Sequence, residues 1–278
     1  MIIDHLLFDG PALGACAAVC RTWLPSSRSR LFHSLELRPR ESKAFLELLE
    51  SPFATIAPYV RSLDIFESRK HSRYKKWVDD ALPHLTCLVG VRSLWLSGVD
   101  WRNLRDESRD VLILSFKQVT QLALWYTTFD KFERLVDLLC SYPLLEHVCF
   151  GDVSWPGKNF LAPTPKRLSP FFRHLDLGTC SKAHVIETLF PRDCMYAVDT
   201  VHLSFITLEE FRPIAAFLRN LGHNLHHLRI NIKEVTGMHI LFAQPLLQVS
   251  IVLYCQNPFA TYLILSITIS FARFALGV

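Results

Sequence analysis

The segment Val91-Arg92-Ser93-Leu94-Trp95-Leu96 contains the pattern that decides the fold of this chain. It consists of an apolar residue, two variable residues, a leucine or valine, one variable residue and a second apolar residue. The central residues of its copies are Leu35, Leu63, Leu94, Leu122, Val148, Leu175, Val201 and Leu228. Successive positions differ by 26 to 31 residues, an interval typical of solenoid repeats. Because apolar residues alternate at the end of each copy, we expect short strands with one face towards the core.

The segments between these strands have helical periodicity. In Lys131–Cys140, one helix face is apolar and the other is charged. The apolar residues of that face are Phe132, Leu135, Val136 and Leu139. A strand followed by a helix in every repeat indicates an α/β fold, in which residues 33–235 form an irregular solenoid with a parallel sheet on its concave face.

Helix boundaries are clearest near residue 210. Thr207 and Glu210 have the spacing of a capping box, and Gly222 is placed to end the helix that follows. Pro213 lies inside this pattern, so we expect it to kink the helix or to delay its start.

The strand segments resemble leucine-rich repeats, whose pattern is L-x-x-L-x-L-x-x-N/C-x-L. The segment Phe172–Cys180 follows this pattern as far as its Asn/Cys position, with Phe in place of the first Leu. The other repeats have Val99, Thr127, Val153, Ile206 or Ser68 at that position. Without a ladder of asparagines we expect irregular turns after the strands. We also expect replacement of Thr127, which follows a strand, to affect stability far less than replacement of the strand leucines.

The first 32 residues have a different pattern. Apolar residues at helical spacing occupy Pro11–Leu24, and a proline suits the first turn of a helix. We expect Pro25 to end this helix and a second, serine-capped helix to cover Ser26–Phe32.

Within this region, Ala17-Ala18-Val19-Cys20-Arg21-Thr22-Trp23 resembles the "VCR-x-W" helix in the latter part of an F-box. The segment Ile2–Leu7 resembles the first F-box helix without its usual Leu-Pro start. Together with the repeats, the chain resembles the F-box proteins with leucine-rich-repeat-like regions that are common in fungi. We therefore expect an F-box-like module over residues 1–32, a solenoid over 33–235 and an apolar tail over 236–278.

The resemblance implies a substrate-recognition subunit of an SCF-type (cullin-RING) ubiquitin ligase. In such a subunit the F-box binds the Skp-family adaptor, and the repeats bind the protein to be ubiquitinated. By motif, the residues at or behind the adaptor surface would be Pro11, Leu13, Val19, Cys20 and Trp23. Two alternatives remain open. In the first, Val19 and Trp23 pack only on the first repeat. In the second, the chain is a repeat scaffold without a ligase role, or such a scaffold tethered to a membrane by its tail.

Strand side chains alternate, so residues between the inward leucines should face the concave side. Those that we assign to substrate binding are Trp95, Trp125, His147, His174, Asp176, His202, His227 and Arg229. We expect His147 and His174 to lie side by side, with Thr200 and His227 continuing the row. Tryptophan and arginine are frequent in binding hot spots, and neutral imidazoles would make binding pH-dependent between about pH 5 and 7. The alternative is that these residues are ordinary polar and aromatic surface residues with no role in binding.

Enzymatic signatures are weak. The sequence lacks the glycine-rich nucleotide motifs, the H-E-x-x-H zinc motif and the G-x-S-x-G nucleophile motif. Cys16 and Cys20 are one helical turn apart, but two ligands do not make a zinc site. Cys180 occupies a position where a repeat buries its side chain. We therefore predict a binding protein that is not an enzyme and has no metal or cofactor.

The net charge of +4 comes from residues 1–76, largely from Arg69–Lys76. This segment is typical of a solvated loop rather than of a nucleic-acid site or an import signal. The eight cysteines contain no C-x-x-C pair, and Met1 is followed by no basic secretory segment. We therefore expect reduced, mostly buried thiols in a cytoplasmic or nuclear protein.

The tail differs from the rest of the chain because Val235–Ala272 contains no Asp, Glu, Lys or Arg. Residues 259–278 just reach the length of a membrane helix, with Arg273 near one end. The other possibilities are a buried closing strand and a non-homologous end, and we disfavour the membrane anchor.

Overall fold

A computed structural model of the chain describes residues 6, 9–52, 54–67, 77–157, 167–191, 197–232, 249–255 and 263–270. The chain forms two compact units. The first contains residues 1–145 and 153–156, and the second contains residues 146–152 and 157–278. The domain boundaries predicted after residues 32 and 235 do not coincide with this division and stay predictions.

The first unit begins with a pair of helices. Helix α1 (Gly10–Val19) follows Asp9, whose carboxylate accepts a hydrogen bond of 2.9 Å from the backbone N–H of Ala12. Helix α2 (Leu24–Leu31) starts earlier than predicted, so Pro25 lies in its first turn instead of ending α1. No side chain caps α2, and the predicted serine cap is therefore wrong. Proline is tolerated there because the first turn needs no N–H from that residue.

The strands of the first unit alternate with helices and pair in chain order. The elements are β1 (Ser34–Leu37), α3 (Ser42–Glu50), β2 (Ser62–Phe66), α4 (Trp77–Ala81), β3 (Ser93–Ser97), α5 (Asp106–Leu114), β4 (Gln121–Trp125), β5 (Thr127–Thr128) and α6 (Phe132–Cys140). Strands β1 to β4 are parallel, and Leu35, Leu63, Leu94 and Leu122 are in register. The repeat register read from the sequence is therefore confirmed in this unit.

The second unit also contains parallel strands that pair in chain order. Its elements are β6 (His147–Ser154), β7 (His174–Thr179), α7 (Lys182–Leu189), β8 (Thr200–Ile206), α8 (Phe211–Leu221), β9 (His227–Ile232), β10 (Val249–Cys255) and β11 (Leu263–Ser270). Strands β6 to β9 are parallel, with Val148, Leu175, Val201 and Leu228 in register. Both units are thus α/β with parallel strands, as predicted. The last two residues of β6, Val153 and Ser154, pair with β5 in the first unit.

The described part of the apolar tail forms strands. Strand β11 is antiparallel to both β9 and β10. Of the possibilities for the tail, a closing strand therefore agrees with the backbone of Leu263–Ser270. Among the helices formed by the described residues, none has the length and apolar character needed to cross a membrane.

The core lies where the strand leucines meet the helices. Leu63, Leu94, Leu122 and Leu175 are at most 1% exposed. The predicted apolar face of α6 is buried as well, through Phe132, Leu135, Val136 and Leu139. The alternating burial along β2 and β3 follows from the alternating direction of strand side chains.

Helix α8 has the predicted end and one half of the predicted capping box. It begins at Phe211, so Pro213 lies in its first turn, and it ends at Gly222, whose φ is +51°. The Glu210 carboxylate accepts a hydrogen bond of 3.1 Å from the Thr207 N–H, which is one half of the predicted capping box. The Thr207 hydroxyl donates to the same carboxylate at 3.2 Å instead of accepting from the Glu210 N–H.

Thr127 is a buried polar residue with two hydrogen-bond partners. It is fully buried on β5, and its hydroxyl lies 3.2 Å from the Leu96 carbonyl oxygen and 3.3 Å from that of Trp125. A buried carbonyl without a donor costs about 1–3 kcal/mol. Thr127 therefore stabilises the turn between repeats, in the position where the family pattern places asparagine or cysteine.

We predict that Leu122→Ala and Leu175→Ala each lower the free energy of unfolding by about 2–5 kcal/mol, because each leaves a cavity in the core. Thr127→Val should cost about 1 kcal/mol through the lost hydroxyl bonds. Exposed Thr179 provides the control, since Thr179→Val should change stability by less than about 0.5 kcal/mol. Urea unfolding measures all four changes, and equal small effects at the leucines and Thr179 would contradict the buried register.

Candidate protein-binding surfaces

The junction between α1 and α2 exposes most of the residues assigned to adaptor binding. Val19, the last residue of α1, is 66% exposed, and Trp23 is 37% exposed. Pro11 and Cys20 are also exposed, whereas Leu13 is buried at 1%. The Trp23 N–H donates to the Cys20 carbonyl oxygen at 3.2 Å, which holds the two residues in one turn. Two thirds of the Val19 side chain is open to solvent, so packing within the chain does not cover this residue.

In the first unit, two indoles lie on the exposed face of adjacent strands. Trp95 is 42% exposed on β3, and Trp125 is 37% exposed on β4. Trp95 is in register with Ala123 and Trp125 with Ser97, so both indoles adjoin the small side chain of Ala123. The Trp95 Nε1–H donates to the Ser93 hydroxyl at 2.9 Å. The ring of Trp95 is therefore held in place while one side remains open to a partner.

An acidic patch adjoins Trp95 on the same face. Glu36, Asp64 and Trp95 occupy equivalent positions on β1, β2 and β3. Burial raises the pKa of Asp64, and the neighbouring Glu36 raises it further, whereas Arg38 acts in the opposite direction. A ligand that meets Trp95 therefore also meets a carboxyl group that its surroundings make harder to ionise.

The second unit confirms the predicted histidine row. His147, His174, Thr200 and His227 are aligned on β6, β7, β8 and β9. The ring centroids of His147 and His174 are 4.0 Å apart.

Two positions further along the same strands, Asp176, His202 and Arg229 form a second aligned row. His202 contacts His174 edge to face, with ring centroids 4.9 Å apart. Its Nδ1 lies 3.5 Å from Oδ2 of Asp176. The arrangement therefore brings imidazoles from three strands around one carboxylate.

The environment of His174 changes the predicted pH range. Burial lowers its pKa to about 4, helped by His147 and His202 and opposed by Asp176 and Asp199. Burial also lowers the pKa of His147. His174 is therefore neutral throughout pH 5–7, and the predicted titration in that range is wrong for this residue. The main cause of the lowered pKa is burial, to which the neighbouring imidazoles add, and a count of histidines reveals neither.

Two cysteines, Cys149 and Cys180, have thiols of low reactivity. Burial raises the pKa of the Cys149 and Cys180 thiols to about 12, so both stay protonated at neutral pH and are poor nucleophiles. Cys16, Cys20, Cys87, Cys140, Cys149 and Cys180 are free of disulfides. Cys20 and Cys87 are exposed and the other four are partly buried, so the expectation that most thiols are buried is not met by these six. The described residues contain no cluster of His, Cys, Asp or Glu suited to a metal, and the basic segment Arg69–Lys76 lies outside them.

A cavity of about 820 Å³ in the first unit was not found by sequence reasoning. It lies beside α2 and the residues that precede β1 to β4. Arg61 and Arg92 line it from equivalent repeat positions. The recurring Arg-Ser-Leu at Arg61–Leu63 and Arg92–Leu94 is the sequence signal that could have indicated it.

Comparison with known proteins does not assign the chain to a family. No protein-family model matches the chain, and no curated protein matches it. The function proposed below therefore depends on the geometry of these surfaces and on the motif residues.

We predict that His174 makes folding stability pH-dependent. The pKa of a histidine is about 6.5 in an unfolded chain and that of folded His174 is about 4, so the unfolded state binds more protons between these values. Stability should therefore fall as the pH drops from about 6.5 to 4, by about 1 kcal/mol because the ring is partly exposed. Urea midpoints at several pH values should show a shallower slope for His174→Gln than for the control His223→Gln. Identical slopes in both variants would contradict the assignment.

Proposed function

We propose that this chain is a substrate-recognition subunit of an SCF-type (cullin-RING) ubiquitin ligase. The α1–α2 junction would bind the Skp-family adaptor, and the exposed strand faces would bind the protein to be ubiquitinated. The observation that supports this proposal best is the exposure of Val19 and Trp23 at that junction.

The helix pair has one buried anchor and one exposed end. Leu13 is 1% exposed in the middle of α1, while Val19 is 66% exposed at its C-terminal end. Apolar surface gains about 25 cal/mol per Å² when a partner removes it from water. An anchored helix that presents valine and tryptophan at its end is therefore suited to docking on an apolar partner surface.

The exposed strand faces have the composition of a protein-binding surface. Trp95 and Trp125 present large aromatic area, and Arg229 is exposed on β9. Binding hot spots are enriched in these residue types. Because parallel strands fix the backbone that carries these side chains, target binding does not require that backbone to become ordered.

The alternative, a repeat scaffold without a ligase role, would use the same strand faces but would not need the α1–α2 junction. Adaptor binding therefore separates the two functions. A ligase subunit of this type acts in the cytosol or nucleus, and that localisation remains a prediction.

We predict that the full chain co-purifies with the Skp-family adaptor and that Val19→Asp reduces capture at least about tenfold, because it places a charge in an apolar contact. Leu114→Asp is a matched control, since Leu114 is the last residue of α5 and is 60% exposed. It should leave capture unchanged. Failure of the unaltered chain to capture the adaptor, or equal loss in both variants, would favour the scaffold.

We predict that the double variant Trp95→Ala with Trp125→Ala loses target proteins but retains the adaptor, because the indoles lie on the strand face and not at the α1–α2 junction. The measurement compares proteins cross-linked to the unaltered chain and to the variant, with adaptor capture assayed separately. Phe171→Ala, which removes another aromatic side chain that is 50% exposed, is the control. Retention of both targets and adaptor would exclude these tryptophans from target binding.

A further inference from the structure

The cavity beside α2 is lined by cationic and hydroxyl-bearing side chains. Arg30, His33, Arg61 and Arg92 contribute the basic groups. Serines from α2 and from the first positions of β2 and β3 contribute hydroxyls. Among the described residues that line it, none is aspartate or glutamate. At about 820 Å³, the cavity is in the size range of small-molecule sites.

The backbone places Arg61 and Arg92 beside each other. The Arg92 N–H donates to the Arg61 carbonyl oxygen at 2.7 Å, and the Thr120 N–H donates to the Arg92 carbonyl oxygen at 2.8 Å. Neighbouring strands are about 4.8 Å apart. Like charges at adjacent positions of a sheet are destabilising, and no carboxylate among the described lining residues offsets them. The pair therefore favours an anion in the cavity.

Both arginines have guanidinium N–H groups that can donate hydrogen bonds to a ligand. One terminal nitrogen of Arg61 donates to the carbonyl oxygens of Pro58 and Val60, at 2.7 and 3.0 Å, which fixes the guanidinium and leaves its other nitrogens available. Arg92 is exposed, and no hydrogen bond or ion pair of its side chain is found within the described part of the chain. Ser93 accepts from Trp95, so its own proton can be donated to a ligand.

Gly90 supplies the space in which the Arg61 guanidinium lies. A Cβ at position 90 would be 2.5 Å from the terminal nitrogen of Arg61, closer than real side chains approach. The backbone of Gly90 does not have a positive φ, so alanine is compatible with its conformation. Gly90→Ala would therefore displace the guanidinium while keeping its charge.

We propose that this cavity is a binding site for a phosphate monoester. A phosphate monoester has a charge of about −1.5 to −2 and three acceptor oxygens. Guanidinium groups bind phosphate oxygens through paired, charge-assisted hydrogen bonds. Arg61 and Arg92 bind the phosphate oxygens from two sides, and Ser62 and Ser93 donate to the remaining lone pairs. The ester is either a phosphorylated side chain of a bound protein or a small phosphorylated molecule.

The test is calorimetric titration of the full chain with O-phospho-L-serine at low ionic strength, where charge pairs are least screened. We expect saturable binding that unphosphorylated serine does not show. Arg92→Ala and Arg61→Ala should each weaken binding about tenfold or more, because each removes hydrogen bonds to a charged ligand. Arg40→Ala is the matched control, since Arg40 is exposed in the same unit outside the cavity. No binding by the unaltered chain, or equal weakening by the Arg92 and Arg40 variants, overturns the proposal.

The Gly90→Ala variant tests whether binding requires the position of the Arg61 guanidinium or only the positive charge of the cavity. It should weaken binding although every arginine remains, with circular dichroism confirming that the variant is folded. Unchanged affinity in Gly90→Ala together with weakened affinity in Arg61→Ala would overturn the positioned site.

Two further comparisons identify the source of the phosphate and separate this proposal from the adaptor role. Markedly tighter binding of a phosphoserine peptide pool than of O-phospho-L-serine indicates a protein segment. Equal affinity for both indicates a small molecule. Val19→Asp, which should abolish adaptor capture, should leave phosphate binding unchanged.

Discussion

The alignment of one leucine or valine per repeat is the constraint on which the rest of this structure depends. Leu63, Leu94 and Leu122 lie in register on adjacent strands and are excluded from water. A shift of one residue in any strand would move its apolar side chains to the solvent face. Hydrophobic burial therefore fixes the register, and the register in turn fixes which side chains are exposed. The row from His147 to His227 is a consequence of where the leucines pack.

The sequence predicted the parts of the fold that follow from periodicity. Strand positions, the buried face of α6 and the alignment of His147 with His174 all follow from the spacing of apolar residues. Helix ends were predicted less well, because Pro25 is compatible both with ending a helix and with starting one. The hydrogen bond of Thr127 was not predicted, because its partner is the carbonyl oxygen of Leu96 in another repeat. The cavity escaped prediction because it requires α2 and four strand starts to meet.

Two of the turns after the strands are stabilised by polar side chains other than asparagine. In the first unit, the Thr127 hydroxyl reaches back to the preceding repeat. In the second unit, the Glu210 carboxylate accepts hydrogen bonds from the N–H groups of Lys182 and Thr207, at 2.9 and 3.1 Å. Buried backbone groups need partners whatever side chain supplies them. A threonine hydroxyl and a glutamate carboxylate therefore meet this requirement at these two turns.

The turn at Glu210 differs from the turn at Thr127 because it also contains the buried side chain of Lys182. Its side chain is 2% exposed, and its ammonium lies 3.7 Å from Oε2 of Glu210. The same ammonium lies 3.4 Å from the Phe205 carbonyl oxygen. A charge buried this deeply is tolerated only with an opposite charge and further hydrogen bonds. Phe205 has a φ of +58°, a left-handed conformation that is uncommon for a residue other than glycine. The irregular end of β8 thus directs a carbonyl oxygen towards the cation, which links the buried ion pair to the departure from a regular repeat.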